Sequence, residues 1–420
     1  MREMKDSGVK WIGVIPDDWQ VNNPKYHFTQ RKDRAPQGMV QLTASQKHGV
    51  ITQTEYMERT GANIVTVQKD FDILKLVCAG DFVIHMRSFQ GGLEYSEKTG
   101  SISSAYVMLI PGETICEPRY YKWFFKSSNY IDALSSTSNL VRDGQAMRWA
   151  NFIQLPITFP PAAEQKRIAD FLDAKCAEID ALAADIQTQI DTLEQYKRSV
   201  ITETVTKGLN PDAEMKDSGI QWIGDMPAHW DVIRGKYILR YMQKPVREDD
   251  GVITCFRDGE VTLRSNRRED GFTMSDKEIG YQGIDVGDLV VHGMDGFAGS
   301  IGISDSRGKA SPVLNVLDTD QCKRYIMYYL RSMAYSDVFL ALATGIRVRS
   351  CDLRWNKLAE LSYPVPPLDE QNAIVKHIDS VLSKADAVIA DKKAQLATLD
   401  EYKKSLIFEY VTGKKEVPAS

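Results

Sequence analysis

Residues 160–199 read PPAAEQKRIADFLDAKCAEIDALAADIQTQIDTLEQYKRS, and this stretch decides the fold because its pattern returns later in the chain. The second copy covers residues 366–405, beginning PPLDEQ and ending YKKS. Each copy follows a Pro-Pro pair, carries acid in its first turn, where the helix dipole is positive, and is followed by a glycine, Gly208 or Gly413. The two segments therefore predict two long helices.

Apolar residues recur along both segments at alternating steps of four and three, which is typical of a coiled coil. The predicted seam residues are Ile168, Leu172, Ile179, Leu182, Ile186, Leu193, Tyr196 and Val200, then Ile374, Ile378, Val381, Ala385, Val388, Leu399, Tyr402 and Leu406. Polar exceptions are Lys175, Gln189, Lys392 and Gln395, and we expect the equivalent Gln189 and Gln395 to fix the register. About 43 residues give a rod of roughly 65 Å. The alternative is a helix packed on a globular core, but both copies stay polar outside the seam.

A second repeated segment lies at the start of each half of the chain. Residues 4–13 read MKDSGVKWIG, followed by Pro16 and Trp19, and residues 215–224 read MKDSGIQWIG, followed by Pro227 and Trp230. The offset is 211 positions, about half of the 420 residues. We call residues 1–20 and 211–230 the frame segments. We expect Trp11 and Trp222 to anchor them to the long helices, and the first frame segment to pack near the second helix.

Between the repeats, the two inserts diverge. Each has short β-branched runs after Gly-Asp turns, such as residues 81–84 and 288–291, and helical patterns at residues 120–126 and 325–333. Each insert is therefore predicted to be an α+β domain. The predicted division is frame segment 1–20, first insert 21–158, first helical region 159–210, frame segment 211–230, second insert 231–364, second helical region 365–413 and tail 414–420.

Composition limits the class of protein. No run approaches the ~18 apolar residues of a membrane span, and the charged N-terminus lacks the apolar core of a secretion signal. Six scattered cysteines fit a reducing cytoplasm and argue against a zinc module or disulfide framework. The net charge is −5, yet residues 21–160 carry 15 basic and 12 acidic residues, whereas residues 161–214 carry 6 and 11. This distribution weakly favours the inserts as the phosphate-facing parts.

Together, the repeated blocks resemble the specificity subunit of type I restriction-modification systems. The resemblance covers essentially the whole chain. It is carried by Trp-Ile-Gly at 11–13 and 222–224 and by the Pro-Pro and Glu-Gln pairs at 160–165 and 366–371. In the first insert, Gly80-Asp81, Arg87, Gly91-Gly92 and residues 103–106 also resemble family patterns. The second insert departs at residues 294–297 and 311–313, as expected for domains that read different half-sites.

The resemblance implies an α+β protein with two target-recognition domains separated by two long helices, which form an antiparallel coiled coil with a pseudo-twofold repeat. It implies a non-catalytic subunit without a cofactor that binds double-stranded DNA at a split target. The coiled coil would set the spacer and dock two methyltransferase subunits, to which restriction subunits add. Major-groove readers on one face of DNA lie about 34 Å apart or at multiples of that distance, a span that a rod of this length can bridge.

Base recognition requires Arg, Lys, Asn or Gln near the groove, with others on phosphates. The candidate DNA-contacting residues are Gln46, Lys47, Arg87, Gln90, Arg142, Gln145 and Arg148 in the first insert, and Arg257, Arg264, Arg267, Arg268, Arg347, Arg349 and Arg354 in the second. Arg347 and Arg349 are the leading pair, because no acid lies between Gly345 and Asp352. Arg148-Trp149 recurs as Arg354-Trp355, so a structural role near the helix junction stays open for both arginines. A solvated charged face with Glu269 and Asp270 is the alternative for Arg264, Arg267 and Arg268.

No catalytic constellation is evident. The sequence lacks a phosphate-binding Gly-x-x-x-x-Gly-Lys-Ser/Thr loop, an amino-methyltransferase signature and metal-ligand spacing among its six histidines. The glycine-rich residues 296–302 are interpreted as a strand and turn, because no helical pattern follows them. Two alternatives to a DNA-binding subunit remain: a coiled-coil scaffold whose inserts bind proteins or sugars, and an enzyme of unfamiliar type.

Overall fold

The computed structural model describes residues 2–64, 73–137, 147–267, 279–342 and 353–418. Candidate DNA-contacting residues outside these ranges are Arg142, Gln145, Arg268, Arg347 and Arg349. The chain divides into two compact units: unit 1 comprises Met1–Ile186 and Ala394–Ser420, and unit 2 comprises Gln187–Lys393. None of the described helices is long and apolar enough to cross a membrane.

Unit 1 contains the first frame segment, the first insert and part of each long helix. Its elements in chain order are β1 (Met4–Asp6), β2 (Val14–Pro16), β3 (Gln20–Asn22), β4 (Phe28–Arg31), β5 (Leu42–Ser45), β6 (Gly49–Thr52), α1 (Gln53–Thr60), β7 (Lys75–Val77), β8 (Phe82–Ile84), α2 (Ser88–Gly91), β9 (Glu94–Tyr95), β10 (Gly100–Ile102), β11 (Val107–Pro111), α3 (Pro118–Phe124), α4 (Ser128–Ser136), α5 (Trp149–Phe152), β12 (Ile157–Phe159) and the first long helix, α6 (Ala162–Lys207). A 3-10 turn covers Pro24–Tyr26.

Unit 2 begins within α6 and repeats this order. Its elements are β13 (Met215–Asp217), β14 (Asp225–Pro227), β15 (Asp231–Arg234), α7 (Gly235–Ile238), β16 (Leu239–Met242), β17 (Ile253–Cys255), β18 (Val261–Leu263), β19 (Gln282–Ile284), β20 (Leu289–His292), β21 (Ile301–Ile303), β22 (Gly308–Ala310), β23 (Leu314–Thr319), α8 (Lys323–Tyr335), α9 (Val338–Ala341), α10 (Trp355–Glu360), β24 (Ser362–Val365) and the second long helix, α11 (Leu368–Val411). Two 3-10 turns cover Arg264–Asn266 and Gly296–Ala298. The glycine-rich segment is thus a turn followed by a strand, as predicted.

The two units share one sheet topology although their inserts differ in sequence. Each holds a four-stranded antiparallel sheet, ordered β4-β11-β8-β9 in unit 1 and β16-β23-β20-β21 in unit 2. The two-stranded pairs also correspond: β1–β2 with β13–β14, β3–β12 with β15–β24, β5–β6 with β17–β18, and β7–β10 with β19–β22. The internal repeat therefore extends through both inserts, and the predicted α+β class is confirmed.

One helix of each insert carries much of the core. Tyr120 and Tyr121 of α3 and Tyr325 of α8 are fully buried, so these aromatic residues are core rather than stacking platforms. The Tyr120 hydroxyl donates to the Val411 carbonyl (2.7 Å), and the Tyr325 hydroxyl donates to the Val205 carbonyl (3.0 Å). Each insert is therefore tied to the C-terminal end of one long helix.

Within each unit the long helices run antiparallel, as predicted. In unit 1, Lys403 of α11 contacts Asp180 of α6 (2.6 Å). In unit 2, Lys197 of α6 contacts Asp386 of α11 (2.6 Å). The start of one helix thus lies beside the end of the other. Both helices end at a left-handed glycine, Gly208 (φ +76°) and Gly413 (φ +68°), as the sequence predicts.

The predicted seam is right in period but wrong in phase at four positions. Ile168, Leu172, Ile179, Ile186, Ile374, Ile378, Ala385 and Leu406 are buried, whereas Leu182, Tyr196, Val388 and Tyr402 are 49%, 51%, 45% and 54% exposed. The residue after each faces the partner helix instead: Ala183, Lys197, Ile389 and Lys403. At Leu182, Tyr196 and Tyr402, size and hydrophobicity favoured the wrong residue, because Ala183 allows close approach and Lys197 and Lys403 bury their aliphatic stems while their amines reach solvent. Val388 and Ile389 are both apolar, so this criterion does not separate them.

The polar seam residues are also corrected. Gln189 and Gln395 are both exposed rather than buried. Gln189 accepts a hydrogen bond from Lys392 across the unit 2 pair. The register of the two helices is therefore set by the cross-helix ion pairs of Lys197 and Lys403, rather than by a buried glutamine.

The frame segments pack at the ends of the long helices. Trp19 is fully buried, and its indole donates to Glu164 at the start of α6 (2.9 Å). A Cβ atom on Gly413 would lie 2.5 Å from Pro16, and one on Gly208 would lie 3.1 Å from Trp230. The first frame segment thus packs against the end of the second long helix, as predicted.

Trp11 and Trp222 have other partners than expected. Trp11 packs edge-on against Phe124 of α3 and Tyr130 of α4, and Trp222 donates to the hydroxyl of Tyr329 of α8 (3.2 Å). These tryptophans hold the frame segments to the insert helices. Trp19 and Trp230 contact the long-helix ends.

Candidate nucleic-acid interface

Four candidate residues of unit 1 converge where the tip of the β5–β6 hairpin meets α2. The side-chain amide of Gln46 donates a hydrogen bond to the backbone carbonyl of Arg87 (2.9 Å). A Cβ atom on Gly91 would lie 2.6 Å from the Gln46 side chain, so only glycine permits this approach. Gln46, Lys47, Arg87 and Gln90 are all exposed. We call residues 46–48 with 85–91 turn site 1.

Unit 2 has a contact at the same topological position. The β17–β18 hairpin carries Arg257, whose guanidinium lies 3.1 Å from Asp295, just before the Gly296–Ala298 turn. The Arg257 side chain is 64% exposed, so the ion pair leaves donors open to solvent. We call residues 256–260 with 292–298 turn site 2. The sequence did not pair Arg257 with this turn, because the contact joins two loops 38 residues apart.

A histidine shapes each turn site. His85 Nδ1 accepts a hydrogen bond from the Arg87 amide (3.2 Å), and His292 Nδ1 accepts from the amides of Met294 (3.2 Å) and Asp295 (2.9 Å). Burial lowers the pKa of His292 below its usual 6.5 and favours the neutral ring, which alone can accept these bonds. Both histidines were missed from the sequence, although they lie at the ends of the equivalent strands β8 and β20.

Arg148 and Arg354 occupy matched positions at the start of short helices. Arg148 is the N-cap of α5 and Arg354 is the N-cap of α10, and both side chains are exposed. The preceding residue, Leu353, donates its amide to the Gly293 carbonyl (2.8 Å), and the Arg354 side chain lies beside Gly293. Arg354 therefore borders turn site 2.

Arg264 and Arg267 have local partners. Arg264 Nε lies 3.3 Å from the Thr254 hydroxyl. Arg267 contacts Asp258 (2.6 Å) and Glu260 (2.9 Å), and its guanidinium stacks over Phe256 at 4.2 Å. The hydrogen bond that the Arg267 guanidinium donates to the Asp258 carboxylate is the largest cause that raises the pKa of Arg267. Arg267 is thus tied to the hairpin that carries Arg257, and Glu269 and Asp270 lie outside the described residues.

Each hairpin tip also lines a groove that continues along the long helices of its own unit. The unit 1 groove, of about 620 Å³, is lined by Gln46 and Lys47, by Lys122 of α3 and by Lys403 and Lys404 of α11. The unit 2 groove, of about 650 Å³, is lined by Arg257, by Arg331 of α8 and by Lys197 and Arg198 of α6. Acidic residues, including Glu97 and Asp400 in unit 1 and Asp258 and Asp386 in unit 2, line them too. The grooves thus have mixed charge.

No cluster that suits a metal ion occurs among the described residues. Turn site 2 includes the carboxylates of Asp258, Glu260 and Asp295, but the candidate side chains at both turn sites are amides, guanidiniums and ammonium groups, which donate hydrogen bonds. That chemistry suits recognition of acceptors such as phosphate and base edges.

Comparison with known proteins gives one family from sequence. The chain is 23% identical to a Methanocaldococcus jannaschii protein provisionally named the MjaX type I restriction enzyme specificity subunit, over 97% of this chain and 96% of that protein. It is 22% identical to the MjaVIII type I restriction enzyme specificity subunit of the same organism, over 96% of this chain and 94% of that protein. No protein-family model matches.

The same fold occurs in a solved structure. A chain solved in work on complex assembly and conformational transition of the type I R-M system matches with a TM-score of 0.66. The match covers 96% of this chain and 99% of that chain at 14% identity. In sequence, this chain is a relative of the specificity subunits of type I restriction-modification systems, as its repeated frame segments and paired helices predict.

Proposed function

We propose that the chain is the DNA-binding specificity subunit of a type I restriction-modification complex, in which each insert reads one half of a bipartite target. The observation that carries the proposal is the pair of turn sites. Their scaffolds match, yet they present different side chains: Gln46, Lys47, Arg87 and Gln90 in unit 1, and Arg257 in unit 2. Recognition of two different half-sites requires such a change, because bases are distinguished by their donor and acceptor patterns.

The turn sites have the rigidity that base recognition needs. Turn site 1 is held by the Gln46–Arg87 bond and the His85 bond, and turn site 2 by the Arg257–Asp295 pair and the His292 bonds. Such local support lowers the conformational entropy lost on binding. Arg87 and Arg257 are the proposed guanine readers, since bidentate Arg–guanine pairing is the commonest specific contact. Arg142, Gln145, Arg148, Arg264, Arg267, Arg268, Arg347, Arg349 and Arg354 remain proposed DNA contacts.

The target-recognition domains are proposed to span residues 21–158 and 231–364. The helical regions, 159–210 and 365–413, would set the non-specific spacer between half-sites, with frame segments at 1–20 and 211–230 closing each unit and a tail at 414–420. A continuous α-helix resists bending, so it serves as a ruler better than a loop. The double-stranded target would thus be two short motifs with a fixed gap.

The coiled coil is proposed to dock two methyltransferase subunits, to which restriction subunits bind in turn. Support comes from the four residues that leave the seam. Leu182 and Tyr402 are exposed in unit 1, and Val388 and Tyr196 are their counterparts in unit 2. Each of the four precedes a seam residue by one position, and so forms part of an exposed apolar edge beside the seam of its own unit. An exposed apolar edge favours a protein partner.

Catalysis is proposed to belong to the partners, with this subunit acting in the cytoplasm as the reader alone. The rival proposal is a coiled-coil scaffold whose inserts bind partners other than DNA. The salt dependence of binding distinguishes the two proposals. DNA binding should weaken steeply as the salt concentration rises, because phosphate contacts release counterions.

The decisive experiment is selection from a random DNA library. The chain is co-purified with the methyltransferase encoded beside it, mixed with the library at moderate salt, and the bound DNA is sequenced. The proposal predicts two conserved motifs at a fixed separation. Enrichment of one continuous motif would contradict the two-reader assignment, and absence of enrichment would favour the scaffold.

A further inference from the structure

Exposed aromatic side chains in the described part of the chain come in matched pairs. Among the described Phe, Tyr and Trp residues, those that are exposed are Tyr26, Tyr196, Tyr237 and Tyr402. Tyr26 and Tyr237 differ by 211 positions, the offset of the frame segments, and Tyr196 and Tyr402 by 206, the offset of the long helices. The first pair lies inside the inserts, where the halves otherwise diverge. A shared exposed residue in divergent inserts indicates a shared role.

The local arrangement of Tyr26 and Tyr237 is also shared. Each follows a lysine, and the ammonium group lies over the ring: Lys25 Nζ is 4.7 Å from the Tyr26 centroid, and Lys236 Nζ is 5.5 Å from the Tyr237 centroid. The rings are 69% and 75% exposed. A cation–π contact orders a surface tyrosine without burying it. Each unit therefore presents one Lys–Tyr pair at the start of its insert.

The segments that carry the two pairs contact equivalent neighbouring elements. In unit 1, the side chain of Asn23, two residues before Lys25, donates to the carbonyl of Ile153, which follows the last residue of α5 (2.8 Å). In unit 2, Lys236 contacts Glu360, the last residue of α10 (3.1 Å). Because α5 and α10 are counterparts, the two Lys–Tyr pairs occupy equivalent places in their units.

These pairs lie at the opposite end of each main sheet from the turn sites. In unit 1, β11 pairs Pro111 with Phe28 at the Tyr26 end and Val107 with Ile84 at the end of turn site 1. In unit 2, β23 pairs Thr319 with Leu239 and Leu314 with His292. The separation along the strands is roughly 15 Å. DNA held by the turn sites would have to pass the whole sheet to reach these tyrosines.

Charge also argues for a protein. Glu360 lies between Lys236 and Arg234 and contacts both, so a phosphate there would meet a carboxylate. Tyrosine beside a cation is a frequent centre of protein–protein binding energy. Features common to the two units suit a partner that binds twice, whereas the turn sites differ because the half-sites differ.

We propose that Lys25–Tyr26 and Lys236–Tyr237 are two equivalent docking sites, each of which contacts one copy of the methyltransferase subunit. This inference rests on the proposed function for the identity of the partner. It places a second contact on each insert, in addition to the exposed side chains of the coiled coil. Two contacts would fix the partner against the domain that selects its target as well as against the helices.

The test is the stoichiometry and affinity of the complex for Tyr26→Ala, Tyr237→Ala and the double variant. Native mass spectrometry of dilution series counts bound methyltransferase copies. Val40→Ala and Val286→Ala are matched controls, since both are exposed apolar residues (59% and 66%) of the same inserts. Tyr26→Phe tests the hydroxyl separately. Each single Tyr→Ala variant should bind one copy normally and the other roughly tenfold more weakly, and the double variant should weaken both, with the controls unchanged.

Four outcomes separate the possibilities. Two tightly bound copies in both the wild type and the double variant would overturn the inference and leave the proposed function standing. No methyltransferase bound to the wild type would refute the docking role itself. A fall in DNA affinity of the isolated chain on Tyr→Ala substitution would reassign the pairs to DNA. A concentration-dependent dimer of the chain that the double variant abolishes would show that a second copy occupies these sites.

Discussion

Lys403 of α11 lies 2.6 Å from Asp180 of α6, and the same contact recurs 206 positions earlier for the lysine as Lys197 with Asp386. Both lysines occupy seam positions, with side chains 24% and 20% exposed, whereas Asp180 and Asp386 are 64% and 58% exposed. The aliphatic stems fill the space between helices and the ammonium groups reach carboxylates at the rim. The two ion pairs therefore hold the helices in register at equivalent positions of the internal repeat.

The first prediction concerns this pair. Lys403→Glu should lower the free energy of unfolding by about 1 kcal/mol, since it replaces a weak surface attraction with repulsion of Asp180. Urea unfolding followed by circular dichroism measures the change. The double variant Lys403→Glu with Asp180→Lys should recover most of the loss, and equal instability of the single and double variants would show that the pair does not fix the register.

The second prediction tests the phase of the seam. Ile186, 6% exposed, should lose about 2–4 kcal/mol on substitution by Ala, because a buried side chain leaves a cavity. Leu182→Ala, four residues earlier on the exposed edge, should change the free energy of unfolding by less than about 0.5 kcal/mol. Leu182→Ala should nevertheless weaken methyltransferase binding in a pull-down titration. Comparable destabilisation by both substitutions would show that the Leu182 side chain is buried in the seam.

The third prediction assigns the half-sites. Arg87→Ala should reduce discrimination at one half-site by about 1–3 kcal/mol per lost bidentate contact, and Arg257→Ala should do so at the other. Competition binding with DNAs altered in one half-site measures each effect. The same result is expected for Arg347→Ala and Arg349→Ala, at the half-site of unit 2. A uniform loss on all sequences would instead identify phosphate contacts.

The fourth prediction is a pH dependence at turn site 2. The pKa of His292 is lowered by burial, with Asp295 raising it and Arg257 lowering it, so its folded pKa lies below the usual 6.5. As the pH falls, His292 is therefore protonated in the unfolded chain before it is protonated in the folded protein. The contribution of neutral His292 to the free energy of unfolding is complete above pH 6.5 and is lost as the pH falls below that value. Urea unfolding of His292→Asn, whose amide oxygen can accept without titrating, should show a shallower pH dependence. His27 and His48, whose pKa values burial also lowers, titrate in both proteins and cancel. An unchanged slope would show that His292 is not buried as a neutral ring.

The fifth prediction concerns the end of α11. Gly413→Ala should destabilise unit 1 for two reasons: a left-handed backbone (φ +68°) and a methyl group 2.5 Å from Pro16 of the frame segment. Gly8→Ala is the matched control, because Gly8 has φ +69° and open space around it. The control should lose roughly 1 kcal/mol from the backbone alone, and Gly413→Ala more. Equal losses in thermal unfolding would mean that the frame segment does not pack tightly there.

Much of the candidate site could be placed only approximately from the sequence. Gln46, Lys47, Arg87 and Gln90 were chosen for their chemistry and do lie together, but the hairpin–turn contact that joins them depends on long-range pairing. Tyr26 and Tyr237 were overlooked, although aligning the inserts at the frame offset of 211 positions would have exposed the shared Lys-Tyr. Exposure is a property of the folded surface, and no local pattern reports it for an aromatic residue.

The sequence by itself determined the repeat, the two long helices, their glycine ends and the mixed character of the inserts. These follow from short-range rules: periodicity, turn residues and repeated motifs act within a few residues of one another. Tertiary structure alone decided the phase of the seam, the insert helices as the partners of Trp11 and Trp222, and the meeting of Arg257 with Asp295. Each of these depends on which surfaces come together, and a side chain such as Lys197 can be buried or exposed according to its partner, because its stem is apolar and its end is charged.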